Sequence, residues 1–349
     1  MTEKLKQLID KLETEHTLSK TEWITLFDNF DDETREYAAQ KARAVSLENF
    51  GNKIYIRGIV EFSNVCKNDC YYCGIRCSNS NANRYRLTDE EILSCCDEGY
   101  DYGFRTFVLQ SGEDHKEYPA ARMAEIVRKI KSAHPDCAVT LSLGEMEYDD
   151  YKLMRDAGAD RYLLRHETAT KSLYEKLHPA DMSFEHRMNC LKMLKDLGYQ
   201  TGAGMMIGAP YQTSENLADD MLFLREFEPH MIGTGPFLPH KDTPFKDKEK
   251  GSYELTLFVL SLCRLMLPRV LLPATTALGT IRPDGREQGV LAGANVIMPN
   301  LSPTAVRKKY MLYDNKICTE DSTDMCKTCV QARMKRIGYD VMITRGDYK

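Results

Sequence analysis

What the sequence lacks excludes several classes of protein. No stretch approaches the roughly 20 apolar residues that a membrane-spanning helix needs, so we expect no association with a membrane. The first residues, 1–6, mix both charges without an apolar core, which predicts that there is no secretory signal. Lysine and arginine number 47 against 52 aspartate and glutamate. A net charge of −5 gives no electrostatic reason to expect nucleic acid. We therefore expect a cytoplasmic protein.

Two further absences bear on the fold. No Gly-x-Gly-x-x-Gly fingerprint of an open nucleotide-binding sheet follows the first apolar run, and no low-complexity linker divides the 349 residues. Eight apolar runs, each followed by a polar segment with helix signals, are continuous enough to be strands buried on both faces. The runs cover residues 56–64, 106–112, 138–144, 161–167, 201–208, 230–237, 270–279 and 294–299.

Eight strand–helix repeats predict an α/β fold, a (β/α)8 TIM barrel. We expect a helical N-terminal extension over residues 1–50, the barrel over 51–312 and a C-terminal tail over 313–349. Ser19 with Glu22, and Thr88 with Glu91, have the spacing of capping boxes at helix starts.

Cysteine, by contrast, is abundant. Twelve cysteines in a chain with no export signal favour metal binding and reduced thiols over disulfides. Cys66, Cys70 and Cys73 follow the first run in the order Cys-x3-Cys-x2-Cys. Three thiolates can hold three irons of a cubic 4Fe–4S cluster and leave the fourth iron open to a small molecule. An exposed cluster would be oxygen-sensitive, so we expect an anaerobic or microaerobic cytoplasm.

The alternative for these thiols is zinc or a fully ligated cluster, with Cys77 as the fourth ligand. Structural zinc usually takes two Cys-x2-Cys pairs and seldom four cysteines within twelve residues. We therefore interpret Cys77 as a bystander, or as a thiol that coordinates iron when the open position is damaged.

A second group, Cys318, Cys326 and Cys329, lies in the predicted tail. Because close Cys-x2-Cys spacing usually indicates metal, these residues predict an accessory iron–sulfur cluster (2Fe–2S or 4Fe–4S) or a zinc. Three unligated surface thiols are the alternative.

The active site of a barrel forms where its strands end, so polar residues there are informative. The second run ends in Gln110, Ser111 and Glu113, which could also be an ordinary turn. Glu167 ends the fourth run. The planar fork of Arg187, at the start of the next helical segment, suits a carboxylate.

Charged side chains that enter a barrel need partners or an anionic ligand, and surface salt bridges are the alternative. Arg161 and Arg165 flank the fourth run, and Arg57 precedes the first. Adjacent hydroxyls at Thr275 and Thr276 could bind an anion or a carboxylate.

Apolar and aromatic residues complete the set of candidates. Met205 lies in a glycine-rich run that could pack a flat ring, although a tightly packed strand explains it equally well. Tyr310 and Tyr313 could close the barrel mouth or order a ligand, or simply belong to the core.

Taken together, the motif and the strand ends resemble the radical S-adenosylmethionine (SAM) enzymes, in particular the HydE family of iron–iron hydrogenase maturases. Aromatic Tyr72 before the third cysteine fits the radical SAM motif, and Gln110 to Glu113 resembles the family's Gly-Gly-Glu element with Ser111 in place of a glycine. Further similarity covers residues 60–66, 108–114, 161–168, 199–204, 273–279 and 293–300.

The resemblance implies a barrel of the radical SAM type, with SAM chelating the open iron of a 4Fe–4S cluster. An electron from the cluster would cleave SAM to a 5′-deoxyadenosyl radical. That radical would attack the sulfur of a cysteine-bound iron carbonyl cyanide precursor, during assembly of the H-cluster di-iron subcluster and its dithiolate bridge. The implied partners are the companion maturases HydG and HydF and an electron donor such as ferredoxin or flavodoxin.

The resemblance also implies roles for individual residues. The catalytic cluster would be held by Cys66, Cys70 and Cys73, and the accessory cluster, found in only some members and dispensable, by Cys318, Cys326 and Cys329. SAM would be bound by Tyr72, Gln110, Ser111, Glu113, Glu167, Arg187 and Met205. The substrate site would be lined by Arg57, Ser111, Arg165, Thr275, Thr276, Tyr310 and Tyr313.

Two other readings stay open at this point. A methylornithine synthase or a biotin-synthase-like enzyme would share the barrel but abstract hydrogen from carbon. A non-catalytic iron–sulfur carrier or sensor would need no SAM pocket, and SAM binding separates it from the enzymes.

Overall fold

The computed structural model describes residues 1–320 and 323–349, with the backbone alone for 324–326. The chain begins with helices because its first fifty residues carry good caps: the side chains of Thr2, Ser19 and Asp31 each accept a backbone N–H in the first turn that follows. The predicted capping boxes at Ser19 and Thr88 are both present.

The helices in the described part of the chain are α1 Glu3–Glu15, α2 Lys20–Asn29, α3 Asp32–Phe50, α4 Asp89–Asp101, α5 Ala120–Ala133, α6 Tyr148–Asp156, α7 Lys171–Leu177, α8 Phe184–Asp196, α9 Ser214–Phe227, α10 Tyr253–Met266, α11 Thr276–Ile281, α12 Gly285–Leu291, α13 Thr304–Arg307 and α14 Thr323–Arg336. The strands are β1 Lys53–Ile56, β2 Gly58–Ser63, β3 Thr106–Ser111, β4 Ala138–Ser142, β5 Arg161–Leu163, β6 Gln200–Ala203, β7 Met206–Ile207, β8 Met231–Ile232, β9 Gly235–Pro236, β10 Val296–Ile297 and β11 Asp340–Met342.

These strands form the predicted parallel barrel. Six of them, β2-β3-β4-β5-β6-β8, pair in that order, and every pairing is parallel. Single bridges at Leu271 and Pro273 continue the ring from β8 to β10. β10 then pairs with β1, and Ile59 of β2 bridges to Asn300, so the ring closes. The prediction of a (β/α)8 barrel is confirmed.

The seventh predicted run, 270–279, is not one continuous strand. Only Leu271 and Pro273 make strand bridges, and α11 begins at Thr276. The apolar residues that suggested a long strand, Ala277 and Leu278, are instead the buried face of this short helix. Thr275 therefore lies at the turn between strand and helix, and Thr276 is the first helical residue.

β7 and β9 continue β6 and β8 beyond two glycines. The two strands approach so closely that a Cβ on Gly204 would lie 2.0 Å from the carbonyl oxygen of Gly233. Only glycine fits there, so this part of the predicted run 201–208 is divided in two.

The C-terminal residues close the opposite, amino-terminal end of the barrel, which we call the floor. β11 pairs in parallel with β1. Beyond it, Arg345 pairs with Asp160 at 2.8 Å, and Asp347 with Arg161 at 2.6 Å. The partner that buried Arg161 was predicted to need is thus a residue 186 positions further along the chain.

The N-terminal helices share the main hydrophobic core with the barrel: Leu12, Trp23 and Ala42 belong to the same buried cluster as Val60 and Phe258. The division at residues 50 and 312 stays a prediction. None of the helices in the described part of the chain is long and apolar enough to cross a membrane.

Candidate active site

A cavity of about 370 Å³ lies inside the barrel and opens at the carboxyl ends of its strands. This is the volume of a typical small-molecule site. The cavity wall includes all three thiols of the loop after β2 and most of the predicted ligands. These are Arg57, Cys66, Cys70, Tyr72, Cys73, Gln110, Ser111, Glu113, Arg165, Glu167, Arg187, Thr275, Thr276, Tyr310 and Tyr313.

The cysteine loop is fixed by the strand next to it. Lys67 N–H donates to the carbonyl of Glu113, and Glu113 N–H points at Cys66 Sγ, 3.4 Å away. Between them, Gly112 lets the backbones touch: a Cβ there would lie 2.3 Å from the carbonyl oxygen of Val65. The resemblance to radical SAM enzymes had pointed to this turn. The close approach of the Gly112 and Val65 backbones explains why a glycine is needed there.

All three thiols line the cavity, and together they could hold a cubic cluster. Burial raises the pKa of Cys66, Cys70 and Cys73, to about 12 for Cys73, and the charge of neighbouring thiolates raises the pKa further at Cys70 and Cys73. Within the described residues no three His, Cys, Asp or Glu side chains are close enough to hold one metal ion. Each thiolate would bind a separate iron of a cubic cluster, and bound iron would stabilise their charge. Cys77 is exposed and lies outside the cavity wall.

Tyr72 is held by a histidine whose protonation state is set by its contacts. His178 Nδ1 lies 2.9 Å from the carbonyl of Tyr174, which can only accept, so this nitrogen carries the proton. His178 Nε2 must then accept from the Tyr72 hydroxyl, 3.1 Å away. Burial, aided by the charge of Arg187, lowers the pKa of His178 to about 3, so it stays neutral.

Arg187 reaches the cavity from α8, where it is held by a residue that sequence reasoning missed. Its Nε pairs with Glu145, three residues after the end of β4, and its Nη1 donates to the carbonyl of Arg165 at 2.9 Å. Burial, the largest single influence, lowers the pKa of Arg187, but the neighbouring acidic groups, Glu145 first among them, together raise it above its usual value. The signal for Glu145 was available, since a carboxylate follows the predicted strand 138–144 immediately.

Two further carboxylates line the same cavity as Arg187. Glu113 accepts the backbone N–H of Glu145 at 3.0 Å, and its other oxygen lies 3.3 Å from Lys67 Nζ. Glu167 accepts from Arg165 Nη2 at 2.9 Å. The strand ends therefore present both cations and anions, as a ligand with both an amino and a carboxylate group requires.

The deep end of the cavity is cationic and incompletely bonded. Arg57 is only 5% exposed, and among the described residues its Nε and Nη2 have no hydrogen-bond partner. Its Nη1 lies 2.8 Å from Met231 Sδ. Burial and the charge of Arg161 lower the pKa of Arg57 well below its usual range.

Four more cavity atoms lack a hydrogen-bond partner in the part of the chain described: Glu113 Oε2, Arg165 Nε, Thr275 Oγ1 and Thr140 Oγ1, the last on β4 and not predicted. Buried polar atoms are normally bonded, so these orphans indicate a polar ligand.

The tyrosines near the mouth are placed as predicted, whereas Met205 is not. Gln110 Nε2 donates to the Tyr310 hydroxyl at 3.2 Å. Burial raises the pKa of Tyr310 and of Tyr313, so both stay neutral. Met205 packs in the hydrophobic core, and the residue that lines the cavity is Met206.

The tail cysteines lie beside a second, smaller cavity of about 70 Å³. Cys318 and Cys329 line it, and Arg286 Nη2 donates to Cys318 Sγ at 3.1 Å. The Cys326 side chain lies outside the described residues, so the three-cysteine cluster stays a prediction.

A closed parallel barrel with a three-cysteine loop after its first long strand and charged strand ends is the architecture of a radical SAM enzyme. The Radical SAM superfamily profile matches residues 60–224. The chain is 50% identical over 288 residues to the FeFe hydrogenase maturase subunit HydE of Thermotoga maritima, which covers 82% of each chain. The chain belongs to the radical SAM superfamily and, within it, to the HydE family of hydrogenase maturases.

More distant relatives share the same fold. The 3-methylornithine synthase of Methanosarcina acetivorans is 30% identical over 92% of this chain and 90% of its own. The crystal structure of methylornithine synthase (PylB) has a TM-score of 0.84 at 29% identity and covers 96% of this chain and 97% of that one. A structure of the maturase HydG has a TM-score of 0.82 at 19% identity, covering 98% and 77%, and indicates the fold alone.

Membership of this family defines the chemistry in outline. The protein is a radical SAM enzyme of hydrogenase maturation that uses a 4Fe–4S cluster and SAM and acts on a small-molecule substrate.

Proposed function

We propose that this enzyme acts on an organometallic substrate, a cysteine-bound iron carbonyl cyanide complex, at the sulfur of that complex. The observation that supports the proposal is the composition of one cavity. The loop of Cys66, Cys70 and Cys73 borders one part of it, and the unpartnered nitrogens of Arg57 and Arg165 face the rest. A substrate with anionic carboxylate and cyanide groups matches that cationic wall.

The residues that would hold the cofactors fit their groups. The three thiols would bind the cluster, Arg187 the SAM carboxylate, and Glu167 the SAM amino group or ribose, beside Tyr72, Gln110, Ser111 and Glu113. When bound, the cluster supplies the electron that cleaves SAM, and the adenosyl radical formed supplies the attack on the substrate sulfur.

The chain itself orients these groups. Glu145 forms an ion pair with Arg187 Nε, and the carbonyl of Arg165 accepts a hydrogen bond from Arg187 Nη1. The guanidinium is therefore fixed before a ligand binds. Such preorganisation lowers the entropic cost of binding.

At the substrate end, the chain supplies N–H donors and a hydroxyl that have no hydrogen-bond partner within the described residues. Arg57 and Arg165 offer unused N–H donors, and Thr275 Oγ1 offers a hydroxyl. Thr276 adds a second hydroxyl at the start of α11. Each would form a charge-assisted or neutral hydrogen bond that the free protein lacks, so the site favours an anion over an apolar ligand.

Part of the cavity wall is apolar. Tyr310, 1% exposed, is fixed by Gln110, and apolar side chains of Phe237, Leu238 and Leu312 contribute to the wall. An apolar wall of this kind limits the contact of a reactive intermediate with water.

The finer assignments of partners belong to the same proposal. HydG would supply the substrate, HydF would receive the product, and ferredoxin or flavodoxin would donate the electron, in an anaerobic cytoplasm. Cys318 and Cys329, with Cys326, would hold an accessory cluster, supported by their place beside the second cavity and by Arg286, whose charge favours a thiolate.

A second candidate, methylornithine synthase chemistry, is favoured by the TM-score of 0.84 to that enzyme. It requires hydrogen abstraction from carbon on an amino acid. The lower identity, 30% against 50%, favours the maturase.

One anaerobic assay tests the proposal. The protein is reconstituted with iron and sulfide, reduced with dithionite and given SAM, and 5′-deoxyadenosine is measured with and without the iron–cysteine complex. Stimulation by that complex is expected. Cleavage without stimulation by that complex would keep radical SAM chemistry and favour the methylornithine alternative. No cleavage from protein with an intact cluster would overturn both in favour of a carrier or sensor.

A further inference from the structure

Glu167 has a backbone conformation that needs support from its surroundings. Its φ is +65°, in the left-handed region that few residues other than glycine adopt. The carboxylate projects into the cavity and accepts from Arg165. Strained residues of this kind persist only where neighbouring groups fix them, and they cluster at functional sites.

The residue before Glu167 provides the first of these supports. His166 is completely buried, and its Nδ1 accepts the N–H of Gly204 at 3.2 Å. Glu167 N–H donates back to the carbonyl of Gly204 at 3.0 Å. Because Nδ1 is an acceptor, neutral His166 carries its proton on Nε2. The turn is thereby bonded to the glycine that separates β6 from β7.

The second support comes from a barrel helix. Asp220 on α9 is completely buried, and its Oδ1 accepts the N–H of Ala169. The same oxygen lies 3.4 Å from the protonated His166 Nε2, an electrostatic contact, since this nitrogen makes no hydrogen bond within the described residues. Asp220 therefore contacts the chain both before and after Glu167. Its Oδ2 has no hydrogen-bond partner within the described residues.

We propose that His166 and Asp220 are positioning residues that hold Glu167 in its left-handed conformation, so that its carboxylate faces SAM. The inference rests on the proposed function, in which Glu167 binds SAM. A simple helix-to-barrel contact would not call for a carboxylate, because an apolar side chain would pack there without the cost of desolvating a charge. Burial indeed raises the pKa of Asp220.

The variant Asp220→Asn tests this directly. It keeps the size of the side chain and the Oδ1 oxygen, but it removes the negative charge beside His166 and puts amide N–H donors where Oδ2 has no hydrogen-bond partner within the described residues. In cluster-reconstituted protein, we expect the dissociation constant of SAM, measured by anaerobic ultrafiltration, to rise on the order of tenfold. The change in the EPR signal of the reduced cluster on SAM addition should shrink in parallel.

The matched control is Glu226→Gln. Glu226 lies on the same helix as Asp220, but it is exposed. Its SAM affinity should equal that of the unchanged protein.

A double-mutant cycle separates positioning from general stability. If Asp220 acts through Glu167, Asp220→Asn should cause no further loss of SAM affinity in a Glu167→Gln background. An equal loss in both backgrounds would overturn the proposal, as would unchanged affinity in Asp220→Asn. Unchanged affinity in Glu167→Gln alone would instead refute the SAM-binding role of Glu167 in the proposed function. Should Asp220→Asn fail to fold, His166→Asn, which retains an acceptor for Gly204, is read by the same criteria.

Discussion

Two buried arginines on the inside of the barrel, Arg57 and Arg161, have opposite surroundings. All three nitrogens of Arg161 are bonded, to Gln200, Thr106, the carbonyl of Arg345 and Asp347. Arg57 has two nitrogens with no partner in the described part of the chain. Both lose some of their basicity to burial, and only Arg161 has an acid in direct contact.

The difference shows how to separate structural from functional charge. A buried charged side chain whose nitrogens all have partners is explained by the fold. Arg161 is of this kind, and it joins the floor of the barrel to the C-terminal residues. A buried charge left incomplete is explained only by something that binds it. By this criterion the floor is structural and the cavity is a binding site.

The largest expected effect falls on the cavity side. Replacing Cys66, Cys70 or Cys73 with serine should abolish SAM cleavage, because the cluster loses a thiolate ligand while the core is unchanged. Chromatography of 5′-deoxyadenosine measures this. Cys77→Ser, at an exposed position outside the cavity wall, is the control and should retain cleavage. An active triple variant would end the assignment of this loop.

Arg57→Met should remove the stimulation of turnover by the iron–cysteine complex, by about 100-fold or more in kcat/KM, because a buried anion loses its cation. The free energy of unfolding should be unchanged or higher, since an unpaired buried charge is removed. Denaturant titration checks the second outcome. A clear loss of stability would mean that Arg57 is as structural as Arg161.

Asp347→Ala should have the opposite effect to Arg57→Met, lowering stability while leaving SAM cleavage unchanged. It leaves Arg161, which is fully buried, without its acid, and we expect a loss of about 1–3 kcal/mol, moderated because Asp347 is about one-third exposed. SAM cleavage per folded molecule should be unchanged. Thermal unfolding measures the first outcome, and reduced cleavage at full folding would contradict the separation of floor from cavity.

His178 lies close to the cavity, yet both of its ring nitrogens have hydrogen-bond partners. It therefore tests whether a buried side chain with all its partners contributes to stability even when it is near the binding site. Its folded pKa is about 3, below the unfolded value of about 6.5, so it binds fewer protons when folded. Its contribution to stability is full above pH 6.5 and is lost as pH falls towards 3. Between pH 7 and pH 5, that loss is about 2 kcal/mol.

His178→Gln should remove this pH dependence. Urea titrations of the apo protein at pH 7 and pH 5 should therefore differ by about 2 kcal/mol less in the variant than in the unchanged chain. An equal difference in both would show that His178 is protonated in the folded state.

The smallest effect is expected in the tail. Cys318→Ser should leave most SAM cleavage and most maturation activity, because Cys318 lies beside the second cavity and not the first. Complete loss of maturation would show that the accessory cluster is essential.

Sequence reasoning predicted the parts of the site that follow strands in order. Cys66, Glu113, Arg165 and Glu167 end their runs, and parallel strands bring such ends to one edge of the barrel. It missed residues whose role depends on orientation or on a distant partner. Met206, and not the predicted Met205, lines the cavity because the strand is interrupted at Gly204. A continuous apolar run in the sequence does not reveal such an interruption.

The sequence by itself determined the barrel, the cysteine loop and the class of chemistry, because each depends on local spacing: apolar runs, capping boxes and three closely placed thiols. Only the tertiary structure decided which buried charged side chains find hydrogen-bond and ion-pair partners. Asp347 reaches Arg161, Glu145 reaches Arg187 and Asp220 reaches the turn around Glu167. These contacts join residues 42 to 186 positions apart, and no local pattern specifies which distant side chain will satisfy a buried charge.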